Sequence, residues 1–287
     1  MEQKKYIAVS ITILEEDLEI GYAILSDFPF IGMEECLDKV IIYFEEKNWK
    51  DEVKNNLNNL LSPNLPDAKI SNIEIMSEKN WNEEWEKNVE PVQISDNIVI
   101  TPEWKSNNFN CKLKIIINPK MSFGTGHHST TKMMSQMIED FFVENVQPKN
   151  IWVDAGTGTG VLAIIAAKLG AKKIYAFDND EWSYENAVEN IKLNSVQSQV
   201  KITHSGIDEY NFPNADCICA NMFLGLIIRS FPKFYNSLSS SDGILFVSGI
   251  LLFDREELLK SAKENKFELI SEKQELEWCC FKFKIQQ

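Results

Sequence analysis

The sequence predicts an α/β protein in two parts. Residues 1–77 read as a small α+β unit, and residues 110–287 as a mostly parallel, doubly wound seven-stranded sheet, with residues 78–109 joining them. Three observations carry this. From Lys112 onward, apolar strand-length runs alternate with helix-length amphipathic runs. A glycine cluster, Asp154-Ala-Gly156-Thr-Gly158-Thr-Gly160, joins one strand to the helix after it. The final two strand-length runs have no helix between them, so they must pair antiparallel, because a parallel pair needs a crossover.

In the first part, Tyr6 to Leu14 (YIAVSITIL) is β-branched and strand-like, and Asp17 to Ser26 suits a helix. Phe30 to Glu34 and Val40 to Phe44 are short strands. Asp51 to Leu61 places Val53, Leu57, Leu60 and Leu61 at helical spacing, and Pro63 and Pro66 are expected to end that helix. Ile70 to Met76 is a last strand. The order β-α-β-β-α-β is that of a ferredoxin-like domain. In the connecting segment, Trp81 and Trp85 lie four apart on one helix face, which suits packing better than substrate contact. A strand is expected over Ile94 to Ile100.

In the main part, strands are expected at 112–117, 151–154, 173–178, 200–203, 216–220, 244–248, 268–273 and 277–285. Helices are expected near 129–143, 161–169, 181–194, 223–238 and 254–265. With Ile151 to Asp154 counted first, the strand ending at Ala220-Asn221 is the fourth.

Composition narrows the function classes. Hydrophobic residues make up 44% and charged residues 25%, as in ordinary soluble domains. No apolar run approaches the ~20 residues of a membrane span, and no signal-peptide h-region is read behind the N-terminal Met1-Glu-Gln-Lys-Lys5, so a cytoplasmic location is expected. The net charge of −14 opposes direct nucleic-acid binding and suits a basic protein partner, or simply solubility. The six cysteines lack zinc-ligand spacing and read as reduced core residues.

The glycine cluster carries the chemistry. Glycines let the backbone turn sharply and bring main-chain N–H groups to a ligand at a helix N-terminus. The dinucleotide fingerprint G-x-G-x-x-G has its acid only downstream, whereas here Asp154 stands two residues before Gly156. A carboxylate there repels a pyrophosphate but suits a cationic amino-acid group. S-adenosylmethionine, with its ammonium and sulfonium, is the ligand this loop suits. Asp178 ends the next strand, 22 residues after Gly156, where an acid grips ribose hydroxyls. Gly124-Thr-Gly126-His-His128-Ser-Thr130-Thr131 is a second glycine-bearing loop leading into a helix. Its threonines have hydroxyls to offer a cofactor, and Phe123 can shield the site from water. The adjacent His127 and His128 point apart and have no third ligand, so no metal is expected. Asn221, at a strand's carboxyl end, can accept a hydrogen bond from an amine; its simpler reading is a helix cap.

Phe123-Gly-Thr-Gly-x-His128-x-Thr130-Thr131, Asp154-x-Gly156-Thr-Gly158-x-Gly160, Asp178-x-Asp180 and Ala220-Asn221 together resemble the ribosomal-protein lysine methyltransferases of the PrmA type. The resemblance runs through the main domain in order, the Trp81/Trp85 segment and the small N-terminal domain. It departs in Asn118-Pro119-Lys120 and Ser122, where the family usually has Asp-Pro-Gly and alanine. It implies a class I S-adenosylmethionine-dependent methyltransferase fold and modification of large-subunit ribosomal protein eleven, L11, which residues 1–77 would recognise. Carried over by position, the family's cofactor contacts fall on Thr131, Gly156, Asp178 and Asn221; the loops themselves add Asp154 and Gly158 as cofactor contacts and Phe123 and His128 for the substrate pocket. Asn221 is expected to orient the acceptor amine, with His128 a weaker candidate proton acceptor. The enzyme is expected to act as a monomer. Competing readings are another protein or small-amine substrate, a nicotinamide-dependent oxidoreductase and a non-catalytic nucleoside-binding scaffold.

Overall fold

The computed structural model describes residues 5–14, 17–25, 28–36, 39–77, 89–108, 111–120, 122–144, 150–238 and 242–286. Trp81 and Trp85 lie outside these residues. The chain separates into two compact units, Met1–Trp81 and Asn82–Gln287.

The first unit contains β1 (Lys5–Thr12), α1 (Leu18–Leu25), β2 (Gly32–Cys36), β3 (Lys39–Glu45), α2 (Asp51–Asn64) and β4 (Lys69–Ser77). Its sheet has the order β2-β3-β1-β4, and every neighbouring pair is antiparallel. Alternation places Ile7, Val9 and Ile11 of β1 and Val40, Ile42 and Phe44 of β3 in one core, closed by Leu57 and Leu61 of α2. α2 runs through Pro63, contrary to the expected stop. A proline this late removes one helical N–H bond, and Leu65 N–H still donates to Leu61 O at 2.7 Å.

The second unit begins with a three-stranded sheet of β5 (Val92–Gln93), β6 (Ile98–Thr101) and β7 (Leu113–Ile116). Two expectations change here. The strand expected over 94–100 is broken by a turn, because Ser95 Oγ accepts from the N–H groups of Asn97 and Ile98 and Ile94 N–H donates to Ile98 O. The strand expected at 112–117 pairs with β6 and lies outside the main sheet. Ile94, Ile98 and Ile100, expected within a connecting segment, are buried in the second unit's core.

After α3 (Ser129–Glu144) come β8 (Ile151–Ala155), α4 (Val161–Leu169), β9 (Lys173–Asp178), α5 (Glu181–Leu193) and β10 (Val200–His204). β11 (Cys217–Asn221), α6 (Leu224–Ser237), β12 (Ile244–Leu251), α7 (Arg255–Glu264), β13 (Phe267–Glu275) and β14 (Trp278–Ile285) complete the unit. The seven-stranded sheet has the order β10-β9-β8-β11-β12-β14-β13. β8 to β12 run parallel, and β14 is antiparallel to both its neighbours. Alternate residues feed two cores: Trp152 and Phe246 pack with α3, α4 and α5, while Val153, Ala155 and Val247 pack with α6 and α7. The order reverses between β8 and β11. A crevice opens at such a switch point, beyond the strands' carboxyl ends.

Trp152 is 1% exposed, stacks on Phe142 and Phe246 at 5.3 and 5.8 Å, and meets Phe141 edge-on at 5.8 Å. Trp152→Ala is expected to destabilise the protein by about 3–5 kcal/mol. Urea unfolding followed by circular dichroism checks this; a loss under about 1 kcal/mol would contradict the packing described.

Candidate functional site

Two loops form the floor of the crevice. The chain leaves β8 through Gly156, Gly158 and Gly160, and the stretch before α3 contains Phe123-Gly124. Gly158 has a φ of +55°, and a Cβ there would lie 2.3 Å from Phe123 O. Strain and space both demand glycine. Thr159 N–H donates to Phe123 O at 2.9 Å, and Thr159 Oγ1 donates to Gly124 O at 2.7 Å.

Asp178 braces the same loop from β9. Its Oδ2 accepts from Gly158 N–H at 2.8 Å and its Oδ1 from Asp180 N–H at 3.0 Å. Each oxygen keeps a lone pair for a further donor. Behind both loops, α5 and its C-terminal cap present Asn186, Asn190 and Asn194 at successive turns. Asn190 Oδ1 accepts from Asn118 N–H at 2.9 Å while its Nδ2 donates to Thr159 O at 3.0 Å. Asn194 pairs with both backbone groups of Ile116, and Asn186 Nδ2 donates to Asn118 O.

The crevice has two lobes that share Gly156, Asp178, Asn179, Met222, Phe223 and Leu226. One, of about 390 Å³, is lined further by Phe177, Gly206, Ile207, Asp208, Glu209 and Arg229. The other, of about 440 Å³, is lined by Phe123, His128, Thr130, Asn221, Gly249 and Trp278. In the second lobe His128 stands between two rings, with centroids 5.2 Å from Phe123 and 4.8 Å from Trp278. Thr130 Oγ1 lies 2.8 Å from His128 Nδ1, and Asn221 Nδ2 donates to Thr130 Oγ1 at 3.3 Å.

Most of the residues singled out from sequence therefore meet here: Phe123, His128, Gly156, Gly158, Asp178 and Asn221. Two stand back from the wall. Thr131 follows Thr130 by about 100° of helix, which turns it into the core, 1% exposed and with its hydroxyl unpartnered. Asp154 is 2% exposed; its Oδ2 accepts from Thr157 Oγ1 at 2.5 Å and from Ala163 N–H at 3.2 Å, so it folds the loop. Its Oδ1 has no partner among the described residues. Burial raises the Asp154 carboxyl pKa to about 6, against the hydrogen bonds from Thr157 and Ala163, and nearby Asp178 raises it further.

Residues missed in the sequence left unequal traces. Asn186, Asn190 and Asn194 follow i, i+4 spacing on an otherwise ordinary helix. Gly249 interrupts an apolar strand, a mark of close backbone approach. A Cβ there would lie 2.4 Å from Met222 O, and the β12–β14 register shifts at this point. Trp278 left no pattern, since only the pairing of β14 with β12 brings it near α3.

Comparison with known proteins settles the family. The family model described as ribosomal protein L11 methyltransferase (PrmA) matches residues 5–286. The chain belongs to this family. It is 34% identical over 275 residues to the ribosomal protein L11 methyltransferase of Chlorobaculum tepidum, covering 92% of each chain. With the relative of the same name from Caldanaerobacter subterraneus the identity is 35% over 262 residues, 91% of this chain and 80% of that one. The crystal structure of the L11 methylase from Lactobacillus delbrueckii subsp. bulgaricus matches with a TM-score of 0.62 and 27% identity, over 69% of this chain and all of that one. The fold is that of a class I methyltransferase, and methyltransferases of this family and fold use S-adenosylmethionine in general. Among the described residues no helix is long and apolar enough to cross a membrane, and no cluster of His, Cys, Asp and Glu could hold a metal ion.

The raised Asp154 pKa makes a pH prediction. An acid whose folded pKa is about 6, against 3.8 unfolded, favours folding below pH 4 and loses that contribution as pH rises through 6. Asp154→Asn stays neutral throughout. The stability difference between the two proteins should therefore move by about 3 kcal/mol in the variant's favour from pH 4 to above 6. Urea unfolding of both across this range measures it; a constant difference would refute the assignment.

Proposed function

We propose that this chain is an S-adenosylmethionine-dependent methyltransferase that modifies lysine side chains of ribosomal protein L11. One observation carries the reading: a lobe with a braced carboxylate and a lobe with an amide and aromatic walls meet at Gly156, Met222 and Phe223. The names of the relatives support the choice of acceptor.

The chain's residues fit the cofactor. Asp178 is held by two backbone donors with lone pairs left over for ribose hydroxyls, and Ile207 and Phe177 offer apolar surface to a purine. The absence of a side chain at Gly156 leaves the shared wall open, and Asp154 Oδ1 is a buried acceptor for a cationic group. When bound, S-adenosylmethionine supplies an electrophilic methyl group, whose carbon–sulfur bond breaks as the acceptor nitrogen's lone pair bonds to carbon.

The second lobe suits the acceptor. Free lysine has a pKa near ~10.4 and attacks only when neutral. Seating among the rings of Phe123, Trp278 and Phe223 would strip water from the amine and so disfavour its charged form. Asn221 orients the amine, and water takes the proton. Catalysis is then largely orientation and desolvation.

The first unit reads as a ferredoxin-like domain that docks L11. It has its own core, and all the candidate chemical residues lie after residue 117. The net charge of −14 suits a basic partner. On this reading the enzyme works in the cytoplasm as a monomer, without direct nucleic-acid contact.

Asp178→Ala should weaken S-adenosylmethionine binding about ten- to hundredfold, as charge-assisted hydrogen bonds worth ~1.5–3 kcal/mol are lost. Calorimetric titration with S-adenosylmethionine, and with NAD as a control, tests this; wild-type affinity in the variant would sink the ribose assignment.

A chain of residues 82–287 should still bind the cofactor but methylate purified L11 far more slowly than the whole protein. Mass analysis of L11 after reaction gives the comparison. Equal rates would remove the first unit from substrate recognition.

A further inference from the structure

We propose that Thr130 is a positioning residue: its hydroxyl, fixed by His128, turns the Asn221 side-chain oxygen toward the acceptor nitrogen. In this arrangement His128 anchors the chain of hydrogen bonds and does not take the acceptor's proton. The inference rests on the methyltransferase reading above.

The direction of each hydrogen bond follows from one group whose role is fixed. The Thr130 backbone N–H can only donate, and it donates to His128 Nδ1 at 3.3 Å. Nδ1 therefore presents its lone pair, and the neutral ring carries its hydrogen on Nε2. Thr130 Oγ1 lies 2.8 Å from the same Nδ1, so the hydroxyl hydrogen is directed there as well. Its hydrogen committed, Oγ1 accepts from Asn221 Nδ2 at 3.3 Å. The amide nitrogen is thereby held against Thr130, and Oδ1 is left free.

That orientation matters for the chemistry. An amide oxygen accepts from an amine N–H and leaves the nitrogen lone pair available for attack. A reversed amide would offer N–H groups, which compete for that lone pair. Thr130 is 0% exposed, so water does not supply a substitute hydroxyl.

His128 is poorly placed as a base. Its Nε2 already holds hydrogen, and a proton at Nδ1 would displace both Thr130 donors. His128 O accepts from Lys132 N–H, which sets the ring at the first turn of α3. The Phe123 and Trp278 rings, tilted 61° and 67° to the imidazole, hold it in this orientation.

The test uses the full chain, purified L11 and labelled S-adenosylmethionine. Methylation by the wild-type protein tests the parent reading by itself; the variants test the relay. Thr130→Val should lower kcat about ten- to hundredfold, with cofactor affinity and the KM for L11 unchanged, and Thr130→Ser should restore most of the loss. His128→Ala should fall comparably. His128→Asn, whose Oδ1 accepts the same donors at a helix start, should recover most of that loss. A wild-type kcat in Thr130→Val overturns the proposal. So does His128→Asn as slow as His128→Ala with normal cofactor affinity, which would make His128 the proton acceptor. Loss of cofactor binding in Thr130→Val would assign Thr130 to folding and also overturn it.

Discussion

The carbonyl of Phe123 occupies the space that any side chain at position 158 would need. That approach, sealed by Thr159 N–H on the same oxygen, brings the loop before α3 and the loop after β8 into one layer. Each loop alone is a glycine-bearing connection with little to hold it. Together they form a floor braced by Asp178 from one side and by the α5 asparagines from the other. The positions of Thr130, His128 and Phe123 all depend on it, because the first of these loops leads directly into α3.

The sheet supplies the rest. Its order reverses between β8 and β11, so the connections after these strands diverge and leave a crevice. Met222, just after β11, rests on the bulge at Gly249 of β12 and faces both lobes. The antiparallel β14 brings Trp278 to the far wall. The linings of the two lobes thus come from distant parts of the chain, while the wall they share is built from Gly156, Asp178, Asn179, Met222, Phe223 and Leu226.

Much of this was legible in the residues because it rests on local rules. Parallel central strands are apolar on both faces, and the glycine loop and Asp178 sit at predictable strand ends. The elements from 151 to 285 follow that logic. What stayed hidden depends on pairing or on the turn of a helix. β7 has the composition of a central strand, and only its partner β6 shows that it belongs elsewhere. At 94–100 the apolar Ile94 and Ile98 to Ile100 flank Ser95-Asp96-Asn97, where Ser95 makes a turn with its own hydroxyl. Thr130 and Thr131 are chemically alike in the sequence and both are buried; the rotation between neighbouring helical residues brings only Thr130 to the crevice lining.

The clamp on α5 consists of neutral amides. Coulombic screening acts strongly on exposed pairs such as Arg229–Asp208 and hardly at all on Asn190 bridging Asn118 and Thr159. The amide contacts that hold the two loops together are accordingly little changed by ionic strength. On the proposed reading, the encounter between a chain of net charge −14 and a basic partner does depend on it. Salt, on that reading, therefore acts first on how often the acceptor arrives.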